Sequence, residues 1–464
     1  MSQNAQPANN IVAALSAIVG NDNILTDPAD CWPYGYDNSR RHHPPDLVAF
    51  PTTHEHVRDI VRLCNQIRLP LVARGRGSGT TGATVPVLGG VVLSFERMNR
   101  ILAVDTNNRL MVVEPGVTNQ EVQDAAARQG FFWPPDPTSA AYCTIGGNLA
   151  YNSAGPRAVK YGTPRENVLG LRVVTGSGDE LRTGVLTTKG VVGYDLTRLI
   201  IGSEGTLAII TEATLKLTPR PEATRTLQAI YNDIAAATTA ITRIMAQPVV
   251  PCSLEFIDGN AIAMIRDYSS ANLPENAAAL LMIDVDGMAA ALNAAENSIR
   301  NAATINGLLE FKAARDVTEA AALWATRKAL SPALRNIAPK KINEDVVVPV
   351  AEIPRLIHGL NALADRFGIT IVNFGHAGNG NIHVNLLVNP DDPQQMARAD
   401  ACLSEVFDLV LSLRGTLSGE HGVGLEKRNF VGRELDAAAL TLMRRIKAQF
   451  DPNAILNPGK MFPD

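Results

Sequence analysis

The sequence predicts an α+β fold in two unlike halves. Up to about residue 220, short apolar runs are punctuated by glycine-rich turns; from about 222 to 416, alanine-rich helices are interleaved with strands. At 464 residues the chain is longer than one core sustains, so two or three domains are expected. Repeated strand and helix units on one sheet make the second half an α+β sandwich. Pro219-Arg-Pro221 marks the boundary, giving parts at 1–221, 222–416 and a tail at 417–464.

The elements follow from local pattern. Val57, Ile60, Val61, Cys64 and Ile67 recur at helical spacing, and 69–73 and 90–95 read as short strands. Residues 110–114 form another strand. Thr118-Asn-Gln-Glu121 is a capping box, opening a helix that stops at Gly130. Beyond the boundary, helices are predicted at 233–246, 288–303, 317–336 and 394–413, with strands at 225–230, 279–285, 344–350, 369–374 and 382–388. The tail carries a helix near 436–450 and ends in Asn457-Pro-Gly-Lys460.

Three of the eight histidines fall in two short motifs. His376 and His383 bracket the turn Ala-Gly-Asn-Gly-Asn, whose composition suits a hairpin between two β-branched runs. If it closes with 376 opposite 383, both imidazoles project from one sheet face and can reach a single ion. Alternation places Asn385 on the face of His383, toward a substrate or beneath the ligands. Glu420-His421, flanked by glycines, offers a carboxylate as third ligand and a histidine as base. Two histidines and a carboxylate with an open position equally suit a zinc hydrolase.

Arg74-Gly-Arg-Gly-Ser-Gly-Thr-Thr-Gly82 contains Gly77-x-Gly79-x-x-Gly82, the Rossmann spacing, after a strand. Pro86 and two glycines stand where the required helix should run, so that reading fails. The loop can still cradle a pyrophosphate through backbone N–H groups and hydroxyls. Two further glycine-rich blocks, from Pro135 to Gly155 and at Ile201-Gly-Ser-Glu-Gly-Thr-Leu207, complete a set able to wrap an extended dinucleotide.

A net charge of −4 with no Lys/Arg-rich run gives no case for nucleic acid. Five scattered cysteines without a Cys-x-x-Cys pair argue for reduced thiols and against a cysteine-ligated cluster. No signal peptide or spanning segment is read, so a cytoplasmic protein is expected, with peripheral association with the inner membrane left open.

In their order along the chain, these motifs resemble the FAD-binding family of vanillyl-alcohol oxidase (PCMH) type, in its branch of D-lactate, glycolate and D-2-hydroxyglutarate dehydrogenases. The likeness runs from about residue 45 to the C-terminus. It implies two α+β subdomains holding FAD, an α+β sheet cap domain, and a C-terminal helical segment returning to the flavin. The positions implied for FAD are Arg74, Gly75, Arg76, Gly77, Ser78, Gly79, Thr80 and Gly82, then Asp136, Pro137, Thr144, Gly147, Asn148, Asn152 and Gly155, then Glu204, Gly205, Ile210 and Asn457. With neither histidine nor cysteine in 69–90, FAD is expected to be bound non-covalently.

The resemblance also implies a divalent ion, zinc or manganese, on His376, His383 and Glu420, with His421 as base and Arg327 on the substrate carboxylate. The expected reaction oxidises a D-2-hydroxy acid to a 2-oxo acid, with hydride passing to flavin N5. Lys340-Lys-Ile-Asn-Glu-Asp resembles D-lactate enzymes more than D-2-hydroxyglutarate ones, because Asn343 stands where the latter carry lysine. Electron-transferring flavoprotein, a quinone or an iron–sulfur subunit is the expected acceptor, and a homodimer the expected assembly.

Overall fold

The computed structural model describes residues 5–266 and 273–463. The chain divides into two units. The first runs to Gly155, resumes from Gly162 to Arg220 and returns from Glu420; the second holds Pro156–Tyr161 and Pro221–Gly419.

The first unit contains two sheets. Strands β1 (Ile24–Leu25), β2 (Leu47–Ala49), β3 (Leu71–Arg74) and β4 (Val91–Ser94) form one in the order β1-β2-β4-β3. The parallel β3–β4 pair needs a covering layer, and helix His54–Ile67 provides it. Of its predicted stripe, Val57, Ile60, Val61 and Cys64 pack on Leu71, Val91 and Leu93, whereas Ile67, at the last position of the helix, is exposed. Thr53 caps the helix by accepting the His56 N–H. As the proline and glycines require, no helix follows β3 before β4.

The second sheet is antiparallel, from β5 (Ile101–Asp105), β6 (Leu110–Val113), β8 (Val168–Thr175), β9 (Glu180–Gly184) and β10 (Ala208–Lys216), in the order β5-β6-β10-β8-β9. A separate two-stranded ribbon pairs β7 (Phe131–Phe132) with β11 (Thr218–Pro219). The capping box forms as read: Thr118 accepts the Glu121 N–H and Glu121 reaches back to the Thr118 backbone, starting helix Asn119–Ala127. Val122, Ile145, Leu149, Val173 and Leu215 enclose Trp133. Its indole N–H donates to the Asn167 carbonyl at 3.0 Å, so the buried ring keeps its one polar group satisfied.

The second unit is built on one antiparallel sheet of β12 (Ala223–Tyr231), β13 (Ser253–Asp258), β14 (Ala279–Gly287), β15 (Leu308–Ala313), β16 (Lys340–Val347), β17 (Thr370–His376) and β18 (Asn381–Val388). Their order is β15-β12-β14-β13-β17-β18-β16. Helices Gly259–Arg266 and Val317–Ile337 cover the face bearing Ile257, Met282, Val372 and Phe374. Helices Ile234–Ala246, Leu292–Ala303, Ile353–Phe367 and Pro393–Ser412 form the other group packed on the sheet. Strand β16 begins four residues before its predicted start and stops ahead of Pro349, which has no N–H for a ladder.

The five cysteines are buried and unbridged. Among the described residues, no helix is long and apolar enough to cross a membrane.

Candidate active site

In the first unit a cleft of about 630 Å³, its open mouth included, lies beside β3 and β10. Of the residues predicted to hold FAD, Arg74, Gly75, Thr144, Gly147, Glu204, Gly205, Ile210 and Asn457 line it. Backbone lies close enough at its wall that side chains are excluded. A Cβ on Gly75 would overlap the Thr144 hydroxyl, and Thr144 is itself fixed as the cap of helix Ile145–Tyr151. Such a glycine-walled cradle fits an extended ligand carrying a pyrophosphate.

Other predicted residues do different work. Arg74 is buried and donates to the Tyr36 carbonyl at 2.6 Å, tying the phosphate-type loop to the residues before β2. Burial pushes its guanidinium pKa down, against the pull of Asp37. Arg76 is exposed on the same loop, and Gly77 takes φ +63 there. Asn148 accepts from the Asn119 amide at 3.1 Å, while Asn152 ends its helix at φ 59 and accepts from Arg165 N–H at 3.1 Å. Asp136 abuts Gly155, where a Cβ would meet the Asp136 carbonyl oxygen. Tyr151 and Ser203 also line the cleft; they stand inside motifs rich in glycine, and composition alone did not single them out.

The Glu420–Gly424 loop is held from four places within the first unit. Gly155 N–H donates to Glu420 Oε2 at 2.9 Å, Ser153 Oγ to the Glu420 carbonyl at 3.3 Å, and Thr81 Oγ1 to the His421 carbonyl at 3.3 Å. The buried Glu204 carboxylate accepts Val423 N–H at 2.6 Å and Gly424 N–H at 2.8 Å. Burial raises the Glu204 pKa, and those two N–H groups oppose the rise. Asn457 completes the frame by donating to the Ala83 and Glu204 carbonyls at 2.9 and 2.7 Å. Glu204 and Asn457 therefore anchor the loop carrying Glu420 and His421 as well as bordering the cleft.

In the second unit His376 and His383 are both buried, with ring centroids 5.2 Å apart at 84°. The hairpin forms, but its register corrects the expectation that 376 lies opposite 383. His376 pairs with Asn381 and Phe374 with His383. Ala377–Asn379 make a 3-10 turn and Gly380 reverses the chain at φ +74, so four residues close the hairpin. The histidines become diagonal neighbours on one face, still within mutual reach. An alanine at Gly380 would be strained by its φ and would overlap the Val348 carbonyl oxygen. Gly380→Ala is expected to cost about 1–3 kcal/mol of stability and to loosen the imidazole spacing, as thermal unfolding will check.

Strand β13, which the sequence reading passed over, brings Glu255 opposite His376. One Glu255 oxygen meets His376 Nδ1, and the other accepts Arg327 Nε–H at 3.0 Å. Burial alone would raise the Glu255 pKa; His376 and Arg327 outweigh it and hold the carboxyl well below the usual range. The Arg327 guanidinium lies over the Phe374 ring, 4.6 Å from its centroid. Asn385 is buried; its amide donates to the Val372 and His383 carbonyls, both at 3.1 Å, and accepts from Asn343 at 2.5 Å. Asp345 stands opposite His383 and binds the Gly419 N–H at 2.8 Å, fixing the chain one residue before Glu420.

A buried imidazole pair on one sheet face, one ring backed by a carboxylate, has the donor chemistry and outer support of a divalent-metal site. An arginine, Arg327, is fixed beside it on the same carboxylate.

Both parts of the chain match known domain families. Residues 45–184 match the FAD binding domain, and residues 220–461 match the C-terminal domain of FAD linked oxidases. The chain is 39% identical to glycolate oxidase subunit GlcD of Bacillus subtilis (strain 168), covering 97% of this chain and 96% of that one. It is 33% identical to the mitochondrial D-lactate dehydrogenase [cytochrome] of Arabidopsis thaliana, covering 98% and 80%. Among solved structures, p-cresol methylhydroxylase with substrate bound shares the fold, with a TM-score of 0.82 over 100% of this chain and 98% of that one at 19% identity.

Proposed function

The chain belongs to the FAD-linked oxidases, and from that premise we propose that it oxidises a small D-2-hydroxy acid, D-lactate foremost, to the 2-oxo acid. The observation that carries the reading is the second unit's polar cluster, in which His376 and Arg327 share Glu255 and the buried His383 ring lies beside that of His376. Family membership removes the hydrolase alternative, which has no use for a dinucleotide cleft.

Bound FAD supplies the hydride acceptor, at flavin N5. A divalent cation, zinc or manganese, held by His376, His383 and Glu420 would supply Lewis acidity toward the α-hydroxyl. Arg327 spends Nε on Glu255, and its Nη edge orients the substrate carboxylate by a bidentate pair. His421 takes the hydroxyl proton as general base. Reoxidation needs an acceptor, for which electron-transferring flavoprotein, a quinone or an iron–sulfur subunit are the candidates.

Asn343 supports a monocarboxylate, since its amide is committed to Asn385 and brings no cation to a second carboxyl group. Glycolate is the second reading, favoured by the 39% identity to a glycolate oxidase subunit. Anaerobic flavin bleaching against D-lactate, glycolate, D-2-hydroxyglutarate and D-malate tests both. D-lactate is expected to bleach fastest, and bleaching by the dicarboxylates alone would reject the monocarboxylate assignment.

A further inference from the structure

Glu255 occupies an unusual place for a carboxylate, the middle strand of a seven-stranded sheet, with 1% of its surface exposed. An acid there is costly unless each oxygen is paired. Both are paired, and to different partners: Oε1 with His376 Nδ1 and Oε2 with Arg327 Nε. A carboxylate accepting the Nδ1 proton fixes the tautomer in which Nε2 keeps its lone pair for a ligand bond. On the other side, Arg327 is pinned between Glu255 and the Phe374 ring, and that ring lies 5.8 Å from the His383 ring. The same short network thus touches both imidazoles and the guanidinium.

We propose that Glu255 is a positioning residue that sets the ligand nitrogen of His376 and the carboxylate-binding edge of Arg327 together, so that the cation site and the substrate-carboxylate site are built as one unit. This rests on the reading of His376 and His383 as cation ligands. Losing Glu255, whose two oxygens are both taken by protein partners, would therefore damage two functions at once.

The test compares Glu255→Gln and Glu255→Asp with the unaltered full-length flavoprotein. Glutamine keeps the shape, but its single oxygen cannot accept from both partners and its amide N–H faces one of them. Manganese is removed by chelation and titrated back while the free ion is followed by electron paramagnetic resonance. The expected result for Glu255→Gln is manganese affinity lower by about 10–100-fold and a KM for D-lactate raised about tenfold. Histidine ¹⁵N resonances should show His376 losing its single tautomer, a change that a merely structural role would not produce. Aspartate, charged but shorter, should restore part of both losses; this second variant keeps the test decisive if glutamine impairs folding. Unaltered manganese affinity and His376 tautomer in the folded, flavin-loaded variants would overturn the proposal alone. An unaltered protein that binds neither manganese nor zinc would overturn the cation reading and this proposal with it.

Discussion

Replacing His421 by alanine is expected to leave FAD bound and to slow its reduction by at least about 100-fold at saturating D-2-hydroxy acid, the loss that follows removal of a general base. The retained cofactor follows from how the loop is held. Thr81 bonds the His421 carbonyl, and Glu204 bonds the backbone N–H groups of Val423 and Gly424, so these anchors hold the loop by its backbone. The cleft-lining residues Gly75, Thr144, Gly147 and Asn457 are likewise untouched. Stopped-flow mixing with D-lactate under anaerobic conditions reads the reductive step, and the visible flavin spectrum reads occupancy. A near-normal bleaching rate would reject His421 as the base. Loss of flavin with loss of rate would assign it to scaffolding.

What was legible in the sequence follows the strength of each local signal. β-Branched, apolar-rich runs marked β17 and β18, and glycine-rich composition marked the turn between them. The register was not legible, because it depends on the turn conformation: the 3-10 segment Ala377–Asn379 and the left-handed Gly380 place Asn381, not His383, opposite His376. Parity preserved the functional conclusion, since a shift of two residues returns each side chain to the same face. Glu255 shows the opposite case. Ser-Leu-Glu-Phe-Ile-Asp puts an acid at an inward position, which weakens a strand reading, and only the fold, with His376 on β17 and Arg327 on helix Val317–Ile337, shows the partners that make burial tolerable. In the first unit, the glycine blocks identified the cleft without revealing that Arg74 turns to the Tyr36 carbonyl or that Glu204 secures another loop. Those are long-range hydrogen bonds, and no spacing encodes them.

The second large effect concerns the imidazole pair. His376→Ala and His383→Ala are each expected to lower affinity for zinc or manganese by at least about 100-fold, more than is lost when only an outer partner of a ligand is removed. Activity should fall with metal content, while the flavin spectrum is kept, because the cofactor cleft is lined by first-unit residues. The two variants should differ in a second respect. Removing His376 leaves Glu255 buried with Arg327 alone, whereas removing His383 leaves the Glu255–Arg327–His376 network whole. A buried carboxylate that loses one of its two hydrogen-bond partners is the more damaging loss, so His376→Ala should unfold at the lower temperature even though both lose the ion. Elemental analysis of the purified proteins, together with thermal unfolding, separates ligand loss from network loss. Unchanged metal content in both variants would remove the histidines from the coordination sphere, and equal unfolding temperatures would mean that Glu255 draws its stability from Arg327 alone.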